Sequence, residues 1–213
     1  MKLKTVNIGD RVTRIPAGFL LYCDDLHEIS FPASVVEIGT AAFMGCSGLT
    51  DVFTGHSVET IGDFAFADCS GLTSIVFGRS VTSIGEGAFS AIYDEGPQLQ
   101  IVGTYAITPP AITEFTFDYF HYQSATLYVP IIAIDDYANA EYWKYFSKLE
   151  PFDILVPGDV NNDGFVNIDD VTSLIDLLLR GSTLNNDNAD VDQDGSVNIG
   201  DVTALIDMLL SGH

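Results

Sequence analysis

Two acidic stretches near the C-terminal end have the residue types and spacing of metal-binding loops. Residues 159–170 read DVNNDGFVNIDD and residues 190–201 read DVDQDGSVNIGD, and the two superpose position by position. Each offers side-chain oxygens at loop positions 1, 3, 5, 9 and 12 and can add the backbone carbonyl of position 7. The predicted metal ligands are Asp159, Asn161, Asp163, Phe165 (backbone), Asn167 and Asp170 in the first loop, and Asp190, Asp192, Asp194, Ser196 (backbone), Asn198 and Asp201 in the second.

The donors in both loops are hard oxygen atoms, which suit Ca²⁺, and neither loop contains the Cys or His that zinc and copper sites use. Gly164 and Gly195 stand at position 6, where a calcium loop turns sharply through a backbone conformation that side chains resist. A solvated acidic turn is the alternative, because Asp, Asn and Gly are also common turn residues. Two loops in matched register favour calcium, and we expect two bound ions.

An amphipathic helix is predicted after each loop, because apolar residues recur there at spacings of three and four. These residues are Val171, Leu174, Ile175 and Leu178 after the first loop, and Val202, Leu205, Ile206 and Leu209 after the second. No helix is predicted before the first loop, where Pro151, Pro157 and Gly158 oppose one.

This duplicated loop–helix pattern, with GDVNNDG and ADVDQDG, resembles the type I dockerin family over about residues 157–211. The resemblance implies a calcium-dependent module that attaches a secreted protein to a cohesin-like partner. Family recognition residues occupy loop positions 10 and 11, and the near-identity of the two halves predicts that either half can face the partner after a half-turn. The partner-binding residues implied are Ile168, Asp169, Thr172, Ile199, Gly200 and Thr203.

The preceding part of the chain repeats with a period of 23 residues, as from Val12 to Val35. A unit this short cannot bury its apolar side alone, so the repeats must stack as coils of a solenoid. We predict a parallel strand at each L-x-x-V/I segment and an opposite wall at each G-x-x-A-F turn. Cys23, Cys46 and Cys69 keep the same period and are predicted to be free thiols that fill the core, because their count is odd and no Cys-x-x-Cys pair occurs.

The repeats IGTAAFMGCSGLTDV and TIGDFAFADCSGLTSIVF closely resemble the BspA-like leucine-rich repeat family of bacterial surface proteins, over about residues 1–92. The expected fold class is α+β: a leucine-rich-repeat solenoid of 23-residue coils with a parallel strand ladder, followed by a small all-α domain of duplicated calcium loop–helix units. The predicted domains are the solenoid with its capping segment at 1–150, a short connector at 151–158, and the dockerin-like calcium-binding domain at 159–213.

An amphipathic helix is predicted over residues 136–147, which carry Tyr137, Tyr142, Trp143 and Phe146. An open solenoid end would expose apolar surface, so a capping unit is required there. A carbohydrate-binding platform is the alternative for these aromatic residues. The cap is favoured, because aromatic residues at helical spacing are usually part of a core.

The composition argues against several classes of partner. The formal net charge is −22, with 8 Lys and Arg against 30 Asp and Glu, which disfavours nucleic acid and anionic membranes. No stretch reaches the ~18 apolar residues of a membrane span, and MKLKTVNIG lacks the apolar region of a secretory signal. Calcium loops of this kind fill near millimolar calcium. We therefore expect a secreted or cell-surface protein whose export signal, with further repeat sequence before Leu3, lies outside this chain.

Motifs of catalysis are absent: the sequence has no G-x-S-x-G, H-E-x-x-H, Walker loop or dinucleotide fingerprint, so enzymatic activity is not expected. The prediction is an extracellular, non-catalytic adhesion protein. Its solenoid recognises an unknown protein or glycan, and its dockerin-like module binds a cohesin-like partner, as in polysaccharide-degrading assemblies. The predicted strand-face contacts are His27, Glu28, Ser30, Thr50, Asp51, Phe53, Thr73, Ser74 and Val76.

An alternative assigns the calcium module an intramolecular role, as a structural cap of the solenoid without a cohesin partner. Ile168 and Ile199 discriminate between the two hypotheses. Burial against residues 142–155 would make them part of a core, whereas exposure would make them part of a docking face.

Overall fold

The computed structural model describes residues 3–92, 96–152, 158–161, 166–180 and 187–211. The chain separates into two compact units, the solenoid unit at residues 1–152 and the loop–helix unit at residues 153–213. Most of the predicted connector, 151–158, lies outside the described residues, so the predicted domain limits stay a prediction.

The solenoid unit is built from short strands. In chain order these are β1 (Thr5–Val6), β2 (Arg14–Ile15), β3 (Glu28–Ile29), β4 (Glu37–Ile38), β5 (Asp51–Phe53), β6 (Thr60–Ile61), β7 (Ser74–Phe77), β8 (Ser83–Ile84), β9 (Ile101–Thr104), β10 (Thr126–Pro130) and β11 (Lys148–Phe152). Their pairings are all parallel, which confirms the predicted solenoid of stacked coils.

The first ladder follows the L-x-x-V/I segments, as predicted. It consists of the pair β1–β3 and the sheet β5–β7–β9–β10–β11. Val52, Ile75 and Val102 share one register across this sheet and are buried, while the residue that precedes each of them is exposed or half-buried. The alternation is what a strand with one buried face requires.

A second ladder, β2–β4–β6–β8, was not predicted. Its strands are two residues long, and the buried isoleucines of one register, such as Ile38 and Ile61, pair from coil to coil. A two-residue strand is too short to show alternation in the sequence. The hydrogen bonds of the stacked coils, and not local propensity, form these strands.

Aromatic and thiol side chains fill the interior between the ladders. Phe66 stacks between Phe43 and Phe89, with ring centroids 5.3 and 5.7 Å away. The thiols of Cys46 and Cys69 are buried, and each donates a hydrogen bond to a backbone carbonyl of the preceding coil. Burial raises the pKa of Cys46 to about 12. The cysteines are free, and the prediction that they fill the core is confirmed for these two.

The end of the solenoid unit contains the helices α1 (Tyr119–Ser124) and α2 (Ile134–Asn139). The single helix predicted over 136–147 is wrong: α2 ends at Asn139, and a 3₁₀ turn spans Trp143–Tyr145. Tyr142 separates them with a left-handed φ of 64°, which a continuous helix cannot contain. Tyr137 and Trp143 are nevertheless buried and donate hydrogen bonds to backbone carbonyls, so these rings belong to the core.

The loop–helix unit contains α3 (Ile168–Leu179) and α4 (Ile199–Ser211), which pack against each other. Both helices were predicted. Their core consists of Val160, Val171, Leu174, Ala189, Val191, Val202 and Leu205. Ile175 and Ile206 were expected on the inner face, but both are 39% exposed, so the inner face is narrower than the apolar spacing predicted.

Candidate metal centre and docking surfaces

The second loop brings three carboxylates together. Oxygen atoms of Asp190, Asp192 and Asp194 lie within 4.8 Å of one another, as loop positions 1, 3 and 5 predict. The backbone holds them in place: Asp190 accepts hydrogen bonds from the amides of Asp194 (3.1 Å) and Gly195 (3.0 Å), and Asp194 accepts one from Ser196 (2.8 Å). Three negative charges at this distance repel one another, which a bound cation would relieve.

Position 12 of the second loop is an internal acceptor. The carboxylate of Asp201 is fully buried and accepts backbone hydrogen bonds from Val191 (2.7 Å), Asp192 (3.3 Å) and Asn198 (2.7 Å). Within the described residues, Asp201 is not a member of the three-carboxylate group. Asn198 accepts a hydrogen bond from the amide of Gly200 (2.7 Å), at the start of α4. These two side chains join the loop to its helix.

The described part of the first loop has the same construction. Asp170 is fully buried and accepts hydrogen bonds from the amides of Asn161 (3.1 Å) and Asn167 (2.8 Å). Asn167 caps α3 by accepting a hydrogen bond from the amide of Asp169 (2.8 Å). Asp159 is buried, whereas Asp163 and Phe165 lie outside the described residues. The equivalence of the two loops at positions 9 and 12 supports a duplicated unit.

The residues present fit calcium. Carboxylate and carbonyl oxygens are the donors that this ion prefers, and Gly195 at position 6 has a left-handed φ of 87° that favours glycine. Asn198 Nδ2 donates to the carbonyl of Ser196 (2.9 Å), which fixes the position-7 carbonyl beside the helix cap. The full set of twelve predicted ligands stays a prediction.

The predicted docking residues lie at the starts of α3 and α4. Ile168 is 69% exposed and Ile199 is 72% exposed. Thr172 and Thr203 are also exposed, and each donates a side-chain hydrogen bond to the backbone four residues earlier. Asp169 is exposed and Gly200 is half-buried.

Each helix also has outward apolar residues that the sequence reasoning missed. Leu179 and Leu210 are 79% and 82% exposed, and Ile175 and Ile206 are partly exposed. Helical spacing places Ile175 and Leu179 on the face of α3 that begins at Ile168. It places Ile206 and Leu210 on the face of α4 that begins at Ile199. The signal in the sequence was the recurrence of leucine at the same place after both loops.

The strand face of the solenoid unit is accessible. The nine residues predicted to contact a ligand are exposed or half-buried, as the alternation of each strand requires. Phe53, His56 and Tyr105 form a compact aromatic group at the end of this face, with ring centroids 5.0 to 6.2 Å apart. Burial, and secondarily the positive charge of Arg79, lowers the pKa of His56. The sequence does not predict this aromatic group, because its members come from different coils.

A groove lies on the opposite wall of the solenoid unit, with a volume of about 410 Å³. Its lining is apolar and consists of Leu21, Tyr22, Ala41, Met44, Phe64 and Ile92. None of the helices in the described part of the chain has the length and apolar character that a membrane span needs.

The parallel ladders and the duplicated acidic loop define a repeat solenoid followed by a unit of two loop–helix repeats. Residues 1–94 match the family model described as the BspA type leucine rich repeat region, in six copies. Residues 157–210 match that of the dockerin type I domain. The chain therefore contains a BspA-type leucine-rich repeat region followed by a type I dockerin domain, as both resemblances predicted.

Two solved structures are similar to parts of this chain. A leucine-rich repeat protein from Bacteroides ovatus ATCC 8483 is 26% identical over 60% of this chain and 30% of its own, with a TM-score of 0.49. A leucine rich cell surface protein from Faecalibacterium prausnitzii A2-165 is 18% identical over 70% of this chain and 60% of its own, with a TM-score of 0.27. The chain thus spans less than two thirds of either protein. No curated protein matches it.

The two domain families have general properties of their own. Type I dockerin domains generally bind calcium, and dockerin domains bind cohesins. Leucine-rich repeats and dockerins are non-catalytic kinds of domain. Proteins that contain them are typically extracellular or surface-associated.

Proposed function

We propose that this protein is an extracellular, non-catalytic adhesion protein that is anchored through its dockerin domain. The domain holds two calcium ions, one in each loop, and docks on a cohesin-like partner through Ile168, Asp169 and Thr172 or through Ile199, Gly200 and Thr203. The observation that carries the proposal is the exposure of the two isoleucines at equivalent helix starts. Exposed apolar side chains at matched positions are typical of an interaction surface.

The packing of the loop–helix unit favours docking over the alternative of an intramolecular cap. Its core is closed by its own residues, including Leu174 and Leu205, and neither Ile168 nor Ile199 contributes to it. A domain that only capped the solenoid would not need an exposed isoleucine at the same position in both halves. The cohesin-like partner belongs to a scaffold of an extracellular polysaccharide-degrading assembly, with which dockerins are associated.

Binding to a panel of purified cohesins tests the attachment. We expect the full chain to bind at least one cohesin in calcium and to be released by a chelator. Ile168→Asp and Ile199→Asp together should abolish binding, whereas each alone should leave it, because either face can dock. Ile132→Asp, at an isoleucine of the solenoid unit that is 48% exposed, is the matched control. A panel without a binder, or binding that survives the double substitution, would contradict the proposal.

The strand face of the solenoid unit is the proposed binding surface for the second ligand, a protein or a glycan. Its outward row Phe53–Val76–Gly103–Tyr128 has an exposed aromatic ring at each end. Screening the full chain on glycan and protein arrays tests this surface. Binding that is unchanged by Phe53→Ala together with Tyr128→Ala would place the ligand elsewhere, and Phe115→Ala at another exposed ring is the control.

A further inference from the structure

We propose that the apolar groove on the opposite wall of the solenoid unit binds a peptide segment of a partner protein, one whose apolar side chains are flanked by Lys or Arg. The site goes beyond the proposed function, because its lining residues belong neither to the strand face nor to the docking residues of the loop–helix unit. The groove has three features that fit such a segment: exposed apolar edges, a strained backbone and neighbouring carboxylates.

The edges of the groove are apolar and open to solvent. Leu21, Tyr22 and Ile92 are 44%, 52% and 38% exposed, whereas Met44 is buried. The volume of about 410 Å³ is within the range of ligand sites, about 300–1,000 Å³. Because the edges are open, the groove suits the side chains of a segment that lies along the surface. Exposed apolar residues grouped in this way are typical of an interaction surface.

The backbone of three lining residues is strained. Tyr22, Ala41 and Phe64 have left-handed φ angles of 56°, 52° and 58°, a conformation that favours glycine. Other coils have glycine with a left-handed φ at the equivalent positions: Gly18, Gly45 and Gly87. The turn itself therefore does not need a side chain there. Side chains that are kept at a conformational cost point to a use at the groove.

The two rings of the groove lie against glycines of the next coil. A Cβ added to Gly45 would overlap the ring of Tyr22, and a Cβ added to Gly87 would overlap the ring of Phe64. Ala41 has the smallest side chain of the six lining residues. A larger side chain at residue 41 should therefore reduce the volume of the groove.

The segments around the groove carry negative charge. Within three residues of any lining residue, the sequence contains no Lys or Arg. Asp24 and Asp63 are exposed in these segments. Glu86 is also exposed, and its backbone carbonyl accepts a hydrogen bond from the amide of Phe64 (2.9 Å). Carboxylates beside an apolar groove complement a segment with both apolar and cationic side chains and disfavour an acidic one.

Fluorescence anisotropy of a labelled peptide with the full chain tests the site. The probe has two leucines flanked on each side by two lysines, and the matched peptide has glutamate in place of each lysine. In millimolar calcium and ~0.15 M salt, we expect the lysine peptide to bind at least about tenfold more tightly than the glutamate peptide. Equal affinities, or no binding of the lysine peptide, would overturn the proposal.

A substitution that fills the groove without changing the charge separates specific binding from attraction to the net charge of −22. Ala41→Phe should weaken binding of the lysine peptide about tenfold or more, because the added ring occupies the space of the leucines. The equivalent residue one coil later, Phe64, has a ring on the same left-handed backbone, so the turn accommodates the change. Ile132→Phe, at an exposed residue elsewhere, should leave the affinity unchanged. Undiminished binding to Ala41→Phe would refute the groove as the site.

Leu21→Lys tests the groove at a residue whose exposure makes it tolerant of substitution. It places a cation at the edge of the groove, so it should weaken binding of the lysine peptide and strengthen binding of the glutamate peptide. Ile132→Lys should alter neither affinity. Equal effects of Leu21→Lys on the two peptides would contradict the charge complementarity. Urea unfolding followed by Trp143 fluorescence verifies that each variant is folded.

The carboxylates are tested by removing their charge. Asp63→Asn with Glu86→Gln should weaken binding of the lysine peptide about threefold, because two attractive charges beside the groove are lost. Asp135→Asn with Asp136→Asn makes the same charge change at exposed residues elsewhere in the solenoid unit and should have no effect. Equal losses in the two double variants would show that net charge alone attracts the peptide, and the proposed role of the groove would then be wrong.

Discussion

His121 is held in its neutral form inside the solenoid unit. Its ring is fully buried, Nδ1 accepts a hydrogen bond from the amide of Asp118 (3.1 Å), and Nε2 therefore carries the proton that it donates to the carbonyl of Pro97 (2.7 Å). A second proton would have to take the place of the Asp118 hydrogen bond. Burial lowers the pKa of His121 below the usual value of 6.5 and outweighs the opposite effects of Pro97 and Asp118.

A pH-dependent stability follows from this arrangement. As the pH falls below about 6.5, the unfolded chain takes up a proton at this histidine and the folded chain does not, so stability is full above that pH and is lost below it. We expect a loss of up to about 1.4 kcal/mol between pH 7.5 and 5.5, measured by urea unfolding in saturating calcium with Trp143 fluorescence. His121→Gln should remove this part of the pH dependence, whereas exposed His27→Gln should not. An unchanged pH dependence in His121→Gln would show that another group is responsible.

At the scale of elements, the stacked rings are the continuous interior of the solenoid unit. Phe66 lies at the centre of the stack and is fully buried. Coils of this size contact only their neighbours, so a ring between two others contributes to two interfaces.

Phe66→Ala should therefore destabilise the solenoid unit by about 3–5 kcal/mol, because it removes a buried ring and leaves a cavity between coils. Urea unfolding followed by Trp143 fluorescence measures the change, since Trp143 is the one tryptophan of the chain and is buried in this unit. Phe115→Ala, at a ring that is 57% exposed, should change the stability by less than about 0.5 kcal/mol. Similar losses in the two variants would contradict the stacked arrangement.

The backbones of two neighbouring coils approach each other closely at Gly78. A Cβ at this residue would overlap the carbonyl oxygen of Gly55, whereas a Cβ at Gly9 would have no neighbour within 4 Å. Gly78→Ala should force two coils apart and lower the stability by about 2 kcal/mol or more, while Gly9→Ala should be near neutral. Thermal unfolding monitored by Trp143 fluorescence distinguishes the two, and equal melting temperatures would rule out this backbone contact.

At the scale of the molecule, negative charge is concentrated in the loop–helix unit. From residue 159 onward the sequence has eleven Asp and, as its one cation, Arg180, which pairs with Asp176 at 3.2 Å. Calcium would offset the repulsion among these carboxylates, so metal binding and folding of this unit should be coupled.

Removing calcium should therefore unfold the loop–helix unit and leave the solenoid unit intact. We expect a chelator to lower the helical circular dichroism of α3 and α4 and to leave Trp143 fluorescence unchanged, with recovery on adding calcium. Helical circular dichroism that persists in the chelator would show that the core of the unit suffices without metal.

The sequence alone determined the features that are periodic or local. The 23-residue period fixed the solenoid and its first strand ladder, because a short unit must repeat its apolar residues to build a shared core. The spacing of oxygen donors located both loops, because ligand order along a calcium loop is set by the chain itself. The helices after the loops followed from apolar spacing for the same local reason.

Features that depend on neighbours distant in sequence are visible in the structure and not in the order of residues. The second ladder needs hydrogen bonds between coils. The end of α2 depends on the turn at Tyr142. The exposure of Ile175 depends on which face of α3 packs against α4. Periodicity identifies the equivalent residues of the repeats, whereas packing determines which residues each of them contacts.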